Sequence, residues 1–567
     1  MNERHLITPY GGELTNLVVP PDRAEWLRKE SFGLRSIDLD WRQLCELEML
    51  LNGAYSPLAG YLGKADHDSV LEQLRLANGT YWPFPITLDI PSKEAEKLKP
   101  GDRVALRDRE GFMLAVMTIT DLWPSDPVHE HALLEQSPAN VGIELHAGVW
   151  HLGGTLEALA LPQHHDFAGL RLTPAELRAL LVKRGWRRIV AYMARQAIHR
   201  PHFEFCLKTA IDHEANLLVL PYGGGDLTEH PGYFSLVRNI QGTMPRFPPA
   251  TSQMTLLPAL ARHSSLRELL LAAVVARNYG CTHLIAGGEH EQDGDCRRGD
   301  DTNRDHGGLN LVTEAHQQLG ITIIPFPRMV YVEERAEHMP EPVVPPGART
   351  QTMAGSEIQR RLKHGLKIPD WYSFPEVIQE LQREHPPRDK QGFTVFFTGL
   401  SGAGKSTLAR ALAIRLMETG NRSVTLLDGD IVRRHLSSEL GFSHEHRDIN
   451  VRLIGFVASE ITKNRGVAIC APIAPYRQTR RSVRAMVEAV GGFIEVHVAT
   501  PIETCELRDR KGLYAKARAG LIPEFTGVSD PYEVPEHAEI AIDTTNLEVD
   551  EAIQHILLKL EHEGYLR

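Results

Sequence analysis

The chain has 567 residues, 42% hydrophobic and 24% charged, a composition typical of a soluble globular protein with several domains. A formal net charge of −11 argues against a general nucleic-acid or anionic-membrane binder. Six scattered cysteines without a CxxC pair argue against a disulfide framework or a zinc site. Since the N-terminus lacks an apolar signal core, and no apolar run of about 18 residues occurs, we expect a cytoplasmic protein.

Four regions follow one another along the chain. Residues 1–168 carry strand and turn signals such as "YWPFPITLDIP", which predict a β-rich domain. Over residues 169–339, helical patterns alternate with apolar runs such as "ANLLVLPYGG" and "ITIIPFP". Such runs are typical of buried parallel strands. Residues 340–385 predict a helical appendage. The polar "REHPPRDKQG", residues 383–392, marks the boundary to a last unit, residues 386–567, whose alternating strand and helix signals predict a parallel sheet.

The first motif with a chemical meaning is "MARQAIHRPH", which follows the strand signal "RRIVAY". The HxxH spacing places His199 and His202 on one helical face. At a strand-to-helix turn such a pair can contact the phosphates of a nucleotide. The same spacing is compatible with a metal pair or with a packed surface pair, so the motif alone leaves these alternatives open.

The second motif, "GLSGAGKST", fits the phosphate-loop pattern GxxxxGK followed by Ser or Thr. A β-favouring run precedes it and a helical pattern follows it, which is the expected context. Backbone N–H groups of such a loop surround phosphate oxygens, and the helix N-terminus adds positive charge. We expect Lys405 to reach the outer phosphates and Ser406 to hold Mg²⁺. The motif predicts that ATP is bound by Gly399, Leu400, Ser401, Gly402, Ala403, Gly404, Lys405, Ser406 and Thr407.

Acidic and basic residues after the loop indicate its chemistry. "LLDGDIVRRHL" places Asp428 and Asp430 at the end of a strand that we expect beside the loop strand. Carboxylates there can hold Mg²⁺ or accept a proton from an attacking hydroxyl, and the sequence leaves open which does which. Guanidinium groups suit phosphate and sulfate oxygens, so clustered arginines predict an anionic acceptor. These are Arg433, Arg434, Arg447, Arg452, Arg477, Arg480 and Arg481.

Residues 392–567 resemble adenylylsulfate kinases, through "FTGLSGAGKST", "LLDGDIVRRHL", "GFSHEHRDINVR", "APYR", "KGLYAKARAG", "FTG" and "PYE" in order. The resemblance implies transfer of the γ-phosphoryl group of ATP to the ribose 3′-hydroxyl of adenosine 5′-phosphosulfate, with Lys405, Asp428, Asp430 and Lys516 as catalytic residues. Ser406 and Asp428 would hold Mg²⁺, and Lys516 would lie in a mobile lid. The implied substrate-binding residues are Arg433, Phe442, Arg447, Asn450 and Phe525, of which the two phenylalanines would sandwich the adenine.

Two positions depart from the kinase pattern. Some relatives have "SPYR", whose serine can be phosphorylated, but Ala474 in "APYR" lacks a hydroxyl, so we predict direct in-line transfer. His446 stands where the family often has aspartate, and Arg447 is kept.

Residues 1–385 resemble ATP sulfurylases, through "LNGAYSPLAGYLG", "WPFPITLDI", "LTPAELRALLVKRGW", "NYGCTHLIAGGEH" and "PDWYSFPEVIQEL". The resemblance implies a β-rich, PUA-like N-terminal domain and an α/β nucleotidylyltransferase-like domain. It also implies formation of adenosine 5′-phosphosulfate and pyrophosphate from ATP and sulfate. The site residues implied by the match are Arg195, His199, Arg200, His202 and His290.

Several residues of this second site depart from the family. The family pattern is "QTRNPxHRxH", and this chain has Met193 in place of its glutamine. A thioether cannot donate a hydrogen bond to sulfate. In the second family motif, "GRDHAG", Gly288 replaces the arginine and Glu289 replaces the aspartate. Glu291 adds a carboxylate. We treat the later string "NRDHGG" as part of an altered loop. Because each lost charged hydrogen bond removes about 1.5–3 kcal/mol, we predict a weak or inactive sulfurylase.

The sequence therefore predicts an α/β multidomain protein with an adenylylsulfate kinase and a sulfurylase-like module. One alternative is a fully bifunctional enzyme, and another makes the N-terminal module a nucleotide-binding or assembly scaffold. A plain nucleotide switch fits the acceptor motifs less well. We expect ATP and Mg²⁺ as cofactors, adenosine 5′-phosphosulfate and ATP/ADP as ligands, and sulfate and pyrophosphate if the sulfurylase acts. We expect a homo-oligomer, a dimer or a hexamer, without nucleic-acid or membrane partners.

Overall fold

A computed structural model describes residues 5–134, 148–224, 232–259, 266–286, 316–420, 422–441, 443–509 and 512–566. The chain divides into two compact units, Met1–Ile358 with Ile368–Glu384, and Gln359–Lys367 with His385–Arg567. The limits of the four predicted regions stay a prediction. Among the helices in the described ranges, none has the length and apolar character that a membrane span requires.

The first unit begins with a six-stranded, mainly antiparallel sheet, so the predicted β-rich domain is confirmed. Its strands are β1 (Arg35–Asp38), β2 (Gly60–Tyr61), β3 (Leu88–Pro91), β4 (Arg103–Arg107), β5 (Met113–Pro124) and β6 (Val149–Ala158). The order is β1-β4-β5-β6-β2, and β3 also pairs with β6. Gly154 lets β5 and β6 approach, because a Cβ atom there would lie 2.2 Å from the Thr118 carbonyl oxygen.

Among residues 5–134 and 148–158, the helices that accompany this sheet are α1 (Pro21–Ser31), α2 (Trp41–Leu51), α3 (Lys64–Gln73), α4 (Ser92–Ala95) and α5 (Pro127–Leu134). Helix α2 begins at a capping box, in which the Asp40 carboxylate accepts from the Gln43 N–H at 2.8 Å. The Gln43 side chain accepts in return from the Asp40 N–H at 2.9 Å. Helix α3 contacts both α5 and β5, which brings side chains from distant parts of the sequence together.

A second sheet in the same unit has five parallel strands, as the apolar runs predict. The strands are β7 (Ile189–Tyr192), β8 (Asn216–Val219), β9 (Ser252–Met254), β10 (His283–Ala286) and β11 (Thr322–Pro325), in the order β11-β10-β7-β8-β9. Val190 and Tyr192 belong to one hydrophobic cluster, and Ile189 and Ala191 to another. Both faces of β7 are therefore buried, which explains its continuous apolar sequence.

In the described ranges of this part, the main helices are α6 (Pro174–Lys183), α7 (Arg200–Asp212), α8 (Gly232–Thr243) and α9 (Leu266–Asn278). A small antiparallel sheet follows, made of β12 (Met329–Val332), β13 (Glu337–Pro340) and β14 (Thr350–Gln351). The two helices predicted in the appendage are α10 (Gly355–Lys363) and α11 (Pro375–Glu384). Helix α11 packs on α8, where Arg238 Nε donates to Glu380 Oε1 at 2.6 Å.

The second unit contains the predicted parallel sheet. Its strands are β15 (Phe393–Thr398), β16 (Val424–Asp428), β17 (Val467–Ala471), β18 (Gly492–Val498) and β19 (Ile540–Ile542), in the order β16-β17-β15-β18-β19. Val395 and Phe397 pack in one hydrophobic cluster and Phe396 in another, so both faces of β15 are covered. The helices are α12 (Lys405–Glu418), α13 (Gly429–Leu436), α14 (His444–Lys463), α15 (Arg477–Glu488), α16 (Ile502–Leu507), α17 (Leu513–Arg518) and α18 (Val549–His562).

Candidate active sites

The phosphate-binding loop joins β15 to α12. Gly399, Gly402 and Gly404 have φ angles of 148°, 77° and 103°, which L side chains rarely adopt. A Cβ atom at Gly399 would also lie 2.5 Å from the Val498 carbonyl oxygen. The three glycines are therefore needed for the backbone conformation, and Gly399 is also needed for space.

Side chains from other elements hold the loop in shape. The Ala403 carbonyl oxygen accepts from the hydroxyls of Thr500 at 3.2 Å and Thr544 at 2.9 Å. The Tyr514 hydroxyl donates to the Ser401 carbonyl oxygen at 2.9 Å, which joins α17 to the loop. The sequence did not single out these residues, because isolated threonines after strands carry no motif signal and Tyr514 stands in "KGLYAKARAG" without any sign of its contact with the loop. Their hydrogen bonds fix the conformation of the loop.

The motif residues after the glycines begin helix α12. Lys405 is buried, and its Nζ donates to the Leu400 carbonyl oxygen at 2.7 Å, so its side chain folds over the loop. Ser406 and Thr407 are exposed on the first turn. A hydroxyl in this position is the type of oxygen donor that Mg²⁺ accepts.

The two aspartates of "DGD" lie where β16 meets α13. Asp428 ends β16 and is buried, and Asp430 lies in the first turn of α13. The expectation that β16 lies next to the loop strand is wrong, because β17 pairs with both of them. Asp428 is therefore two strands away from β15, a distance of about 10 Å.

Arg447 has unsatisfied hydrogen-bonding capacity. Its Nη1 donates to Thr526 Oγ1 at 2.6 Å and to Asp530 Oδ2 at 2.9 Å, and Tyr476 donates to the same carboxylate oxygen at 2.8 Å. Arg447 Nε and Nη2 are buried and have no hydrogen-bond partner in the described part of the chain. Because buried donors are nearly always satisfied, this pair fits an anion that the protein binds.

The other predicted substrate residues are placed as follows. Asn450 is buried, and its Oδ1 accepts from Ser437 Oγ at 2.6 Å. Arg433 Nη1 donates to the Gly441 carbonyl oxygen at 2.9 Å, and Phe525 is half-buried with its ring 5.0 Å from that of Tyr514.

Two further sequence predictions concern the adenine and the lid. Lys516 is exposed on α17, the helix that contacts the loop through Tyr514. Phe442 lies outside the described residues, so the adenine sandwich stays a prediction.

The arginine cluster seen in the sequence separates into different roles. Arg480 is buried, with Nη1 donating to the Ala474 carbonyl oxygen at 2.7 Å and Nε 3.0 Å from Glu495 Oε1. Arg452 is half-exposed and lies 3.4 Å from Asp448. Arg480 therefore stabilises the fold, so residue type and clustering overestimate the number of arginines available to an anionic ligand.

A cavity of about 660 Å³ lies beside the loop. Its lining includes Leu400 of the loop, Thr500 at the end of β18, and Gly527, Asp530 and Tyr532 of the segment before β19. Asp530 is the carboxylate paired with Arg447, so the cavity extends from the phosphate loop to the partner of the unsatisfied arginine. Burial, opposed by a hydrogen bond with Thr398, raises the pKa of Tyr532 to about 12, so its phenol stays neutral.

The histidine motif of the first unit lies between β7 and α7. His199 is the residue before α7 and His202 lies in its first turn, with ring centroids 6.0 Å apart. His199 Nδ1 is 2.8 Å from Ser373 Oγ, and its ring lies 4.8 Å from that of Tyr372. Burial, with a smaller effect of His202, lowers the pKa of His199 to about 3, so this imidazole is neutral near pH 7.

The remaining residues of this motif show both retained and altered features. Arg200 Nε is buried without a hydrogen-bond partner among the described residues, and its guanidinium lies 4.7 Å from the ring centre of Phe374. Arg195 lies 5.3 Å from the ring centre of Tyr222. Met193 Sδ accepts from the Tyr222 hydroxyl at 3.7 Å, which fixes the thioether at the turn. His290 and the altered "GGEHEQ" string lie outside the described residues.

Together, the fold and these sites define a P-loop kinase unit joined to an α/β nucleotidyltransferase-like unit. Three family models match the chain: PUA-like domain at residues 7–160, ATP-sulfurylase at 168–384 and adenylylsulphate kinase at 391–543. Sulfate adenylyltransferases of Emericella nidulans and Phaeosphaeria nodorum are 41% and 42% identical, and each alignment covers 98% of this chain and 99% of the relative.

A solved structure described as a hexameric APS kinase from Thiobacillus denitrificans is 55% identical, with 99% of both chains covered and a TM-score of 0.84. The chain therefore belongs to the sulfate adenylyltransferase family in which ATP-sulfurylase and adenylylsulphate kinase domains share one polypeptide. The two resemblances read from the sequence are confirmed.

Proposed function

We propose that the second unit transfers the γ-phosphoryl group of ATP to the 3′-hydroxyl of adenosine 5′-phosphosulfate. The observation that supports this most directly is the pair of unsatisfied donors of Arg447, whose partner Asp530 lines a cavity that reaches the phosphate loop. A nucleotide with a phosphosulfate group supplies anionic oxygens for such donors. The match to the adenylylsulphate kinase family supports the same substrate.

In this proposal the loop binds the triphosphate of ATP, and Lys405 leaves the Leu400 carbonyl to contact the outer phosphates. Arg447 and Asn450 position the acceptor, and Asp428 or Asp430 accepts the proton of its 3′-hydroxyl. Tyr514 links the lid helix, which carries Lys516, to the loop, so closure over ATP excludes water. Since Ala474 has no hydroxyl, transfer proceeds directly between the two substrates.

The donor set fits Mg²⁺, because an exposed hydroxyl and a buried carboxylate are both hard oxygen ligands. Ser406 and Asp428 are the residues that we expect to hold it. A bound Mg²⁺ ion would neutralise charge on the transferred phosphoryl group.

A coupled assay of ADP release that depends on adenosine 5′-phosphosulfate tests this function. We expect turnover by the native chain and a loss of about 1,000-fold in Lys405→Ala, since loss of a cation on the transferred group removes transition-state stabilisation. Lys463→Ala is the matched control, because this lysine is exposed and lies 3.8 Å from Glu460. Turnover that is equal in Lys405→Ala and Lys463→Ala would refute the proposal.

The N-terminal unit has two candidate functions. Full-length relatives that carry the name sulfate adenylyltransferase, together with the matched ATP-sulfurylase domain, favour the fully bifunctional enzyme. The thioether of Met193 and the sequence changes in "GGEHEQ" favour a weak or inactive sulfurylase. The comparisons with relatives support the bifunctional enzyme better. The individual residues still predict a weak or inactive sulfurylase site, which is kept as the second candidate.

Pyrophosphate-dependent formation of ATP from adenosine 5′-phosphosulfate distinguishes the two candidates. Robust turnover in Lys405→Ala, whose kinase is disabled, would establish the bifunctional enzyme and contradict the weak-site prediction. Turnover near background, with the tryptophan fluorescence of the native chain unchanged, would support the prediction of a weak sulfurylase site. The fluorescence reports on the first unit, because all seven tryptophans lie within it.

We also propose a homo-oligomer. A solved relative of which 99% is covered is described as hexameric, which favours the hexamer over the dimer. Light scattering of the untagged chain tests this, and a monomer at micromolar concentration would contradict it.

A further inference from the structure

Outside both nucleotide sites, His67, Glu130 and His151 come together in the β-rich domain. They belong to α3, α5 and β6, and one ligand atom from each lies within 4.8 Å of the others. His67 and His151 are 3% and 5% exposed. Two imidazoles and one carboxylate form a donor set that suits divalent transition metals.

A carboxylate holds each imidazole at its Nδ1 atom. His151 Nδ1 lies 2.7 Å from Asp89 Oδ1, and His67 Nδ1 lies 3.2 Å from Asp68 Oδ1. Because an ionised carboxylate only accepts hydrogen bonds, each Nδ1 carries a proton, and in the neutral imidazole the Nε2 lone pair can then bind a metal ion. This carboxylate–histidine arrangement orients histidine ligands in metalloproteins.

The carboxylate of Glu130 is also fixed. Its Oε1 lies 3.1 Å from His151 Nε2 and accepts from the Asp126 N–H at 3.0 Å, and its Oε2 accepts from Ser125 Oγ at 3.1 Å. Ligand atoms around a tetrahedral zinc ion are about 3.3 Å apart, so this pair already has the required separation. His67 has to approach by at most about 1.5 Å from the 4.8 Å limit.

We propose that His67, Glu130 and His151 bind one Zn²⁺ ion, with water as the fourth ligand. The ion connects α3 and α5 to the sheet and stabilises the β-rich domain. The cysteine pattern argued against a zinc site in the sequence, but these ligands are histidine and glutamate. His151 and Glu130 are 21 residues apart, a spacing that matches no zinc motif.

The competing arrangement is metal-free, with a protonated His151 between Asp89 and Glu130. Burial lowers the pKa of His151, but hydrogen bonds to these carboxylates outweigh it and raise the pKa to about 9. The two arrangements differ in the role of His67, which is a ligand in one and a neighbouring ring, 5.2 Å from His151, in the other.

Titration of the untagged, EDTA-treated full chain with Co²⁺ tests the proposal. We expect the visible absorption bands of tetrahedral cobalt to saturate at one equivalent per chain, and Zn²⁺ to displace them. His67→Gln and Glu130→Gln should abolish the bands, and Asp89→Asn should weaken binding about 10–100-fold. His164→Gln is the control, because His164 forms a similar half-buried pair with Glu48, at 2.7 Å, away from the cluster.

Bands that are absent in the native chain, or unchanged in His67→Gln, would overturn the zinc site and support the protonated bridge. A second measurement guards against misfolded variants. In the native chain, zinc at 100 times its dissociation constant should shift the tryptophan-monitored unfolding equilibrium about 100-fold. No shift would likewise contradict the proposal.

Discussion

The two candidate nucleotide sites differ in how many donors of an arginine the protein leaves without a partner in the described residues. In the second unit, two guanidinium nitrogens of Arg447 are buried without a partner in the described chain, while threonines fix the loop beside them. In the first unit, His199 Nδ1 lies 2.8 Å from Ser373 Oγ and its ring lies 4.8 Å from the tilted ring of Tyr372, and Arg200 Nε is buried without a partner among the described residues. The comparison teaches that two kept motifs can differ in the number of arginine donors that they leave for an anion.

The largest expected effect in this comparison is on Arg447. Arg447→Lys keeps the charge but removes the planar fork that can contact Asp530 and an anion together. We expect kcat/KM for adenosine 5′-phosphosulfate to fall about 10–100-fold, as for one or two charged hydrogen bonds. Arg452→Lys, at a half-exposed arginine, is the control. A loss of equal size in both variants would show that Arg447 has no special role in binding the acceptor.

The second prediction restores an amide to the histidine turn. In Met193→Gln we expect the adenylyltransferase rate to rise about tenfold, because a side-chain N–H can donate to sulfate where the thioether cannot. The control is Met244→Gln, since Met244 is also half-buried in the same unit. If the native chain is already fast, or if Met193→Gln gains nothing, the thioether does not limit this site.

The smallest expected effect is on stability. The pKa of His199 is about 3 in the folded chain against 6.5 ordinarily, so between these values the unfolded chain binds a proton that the folded chain does not. Stability therefore falls on acidification, by about 1 kcal/mol from about pH 7 to about pH 5.5.

Urea unfolding monitored by tryptophan fluorescence measures this dependence in the first unit. In His199→Gln, the loss of unfolding free energy between about pH 7 and about pH 5.5 should be smaller by about 1 kcal/mol. The loss should be unchanged in the control His165→Gln, because His165 is exposed. A native-like slope in His199→Gln would mean that His199 is not held neutral by burial.

The sequence predicted correctly those features of the fold that depend on residues close together in the chain. The loop from Gly399 to Thr407 and the strands of the second unit follow from local glycine spacing and apolar runs. The order of the strands does not follow from local sequence, because the pairing of β17 with β15 depends on tertiary packing. For this reason the sequence wrongly predicted that Asp428 lies on the strand next to the loop strand.

Contacts between residues far apart in sequence were also not predictable. Thr544 reaches Ala403 across 141 residues, and Ser373 reaches His199 across 174. Arg480 was grouped with ligand-binding arginines because its pairing with Glu495 and the Ala474 carbonyl depends on the folded sheet.

The division of the chain has a practical consequence for dissecting the enzyme. Segment Gln359–Lys367 belongs to the second unit, although Ile368–Glu384 belongs to the first. A Cβ atom at Gly365 would lie 3.3 Å from Pro387, so this segment packs against the start of the kinase region. The polypeptide thus passes from one unit to the other three times, and a fragment starting at residue 386 would lose part of its own packing. Point substitutions that silence one site in the intact chain separate the two activities more cleanly than truncation.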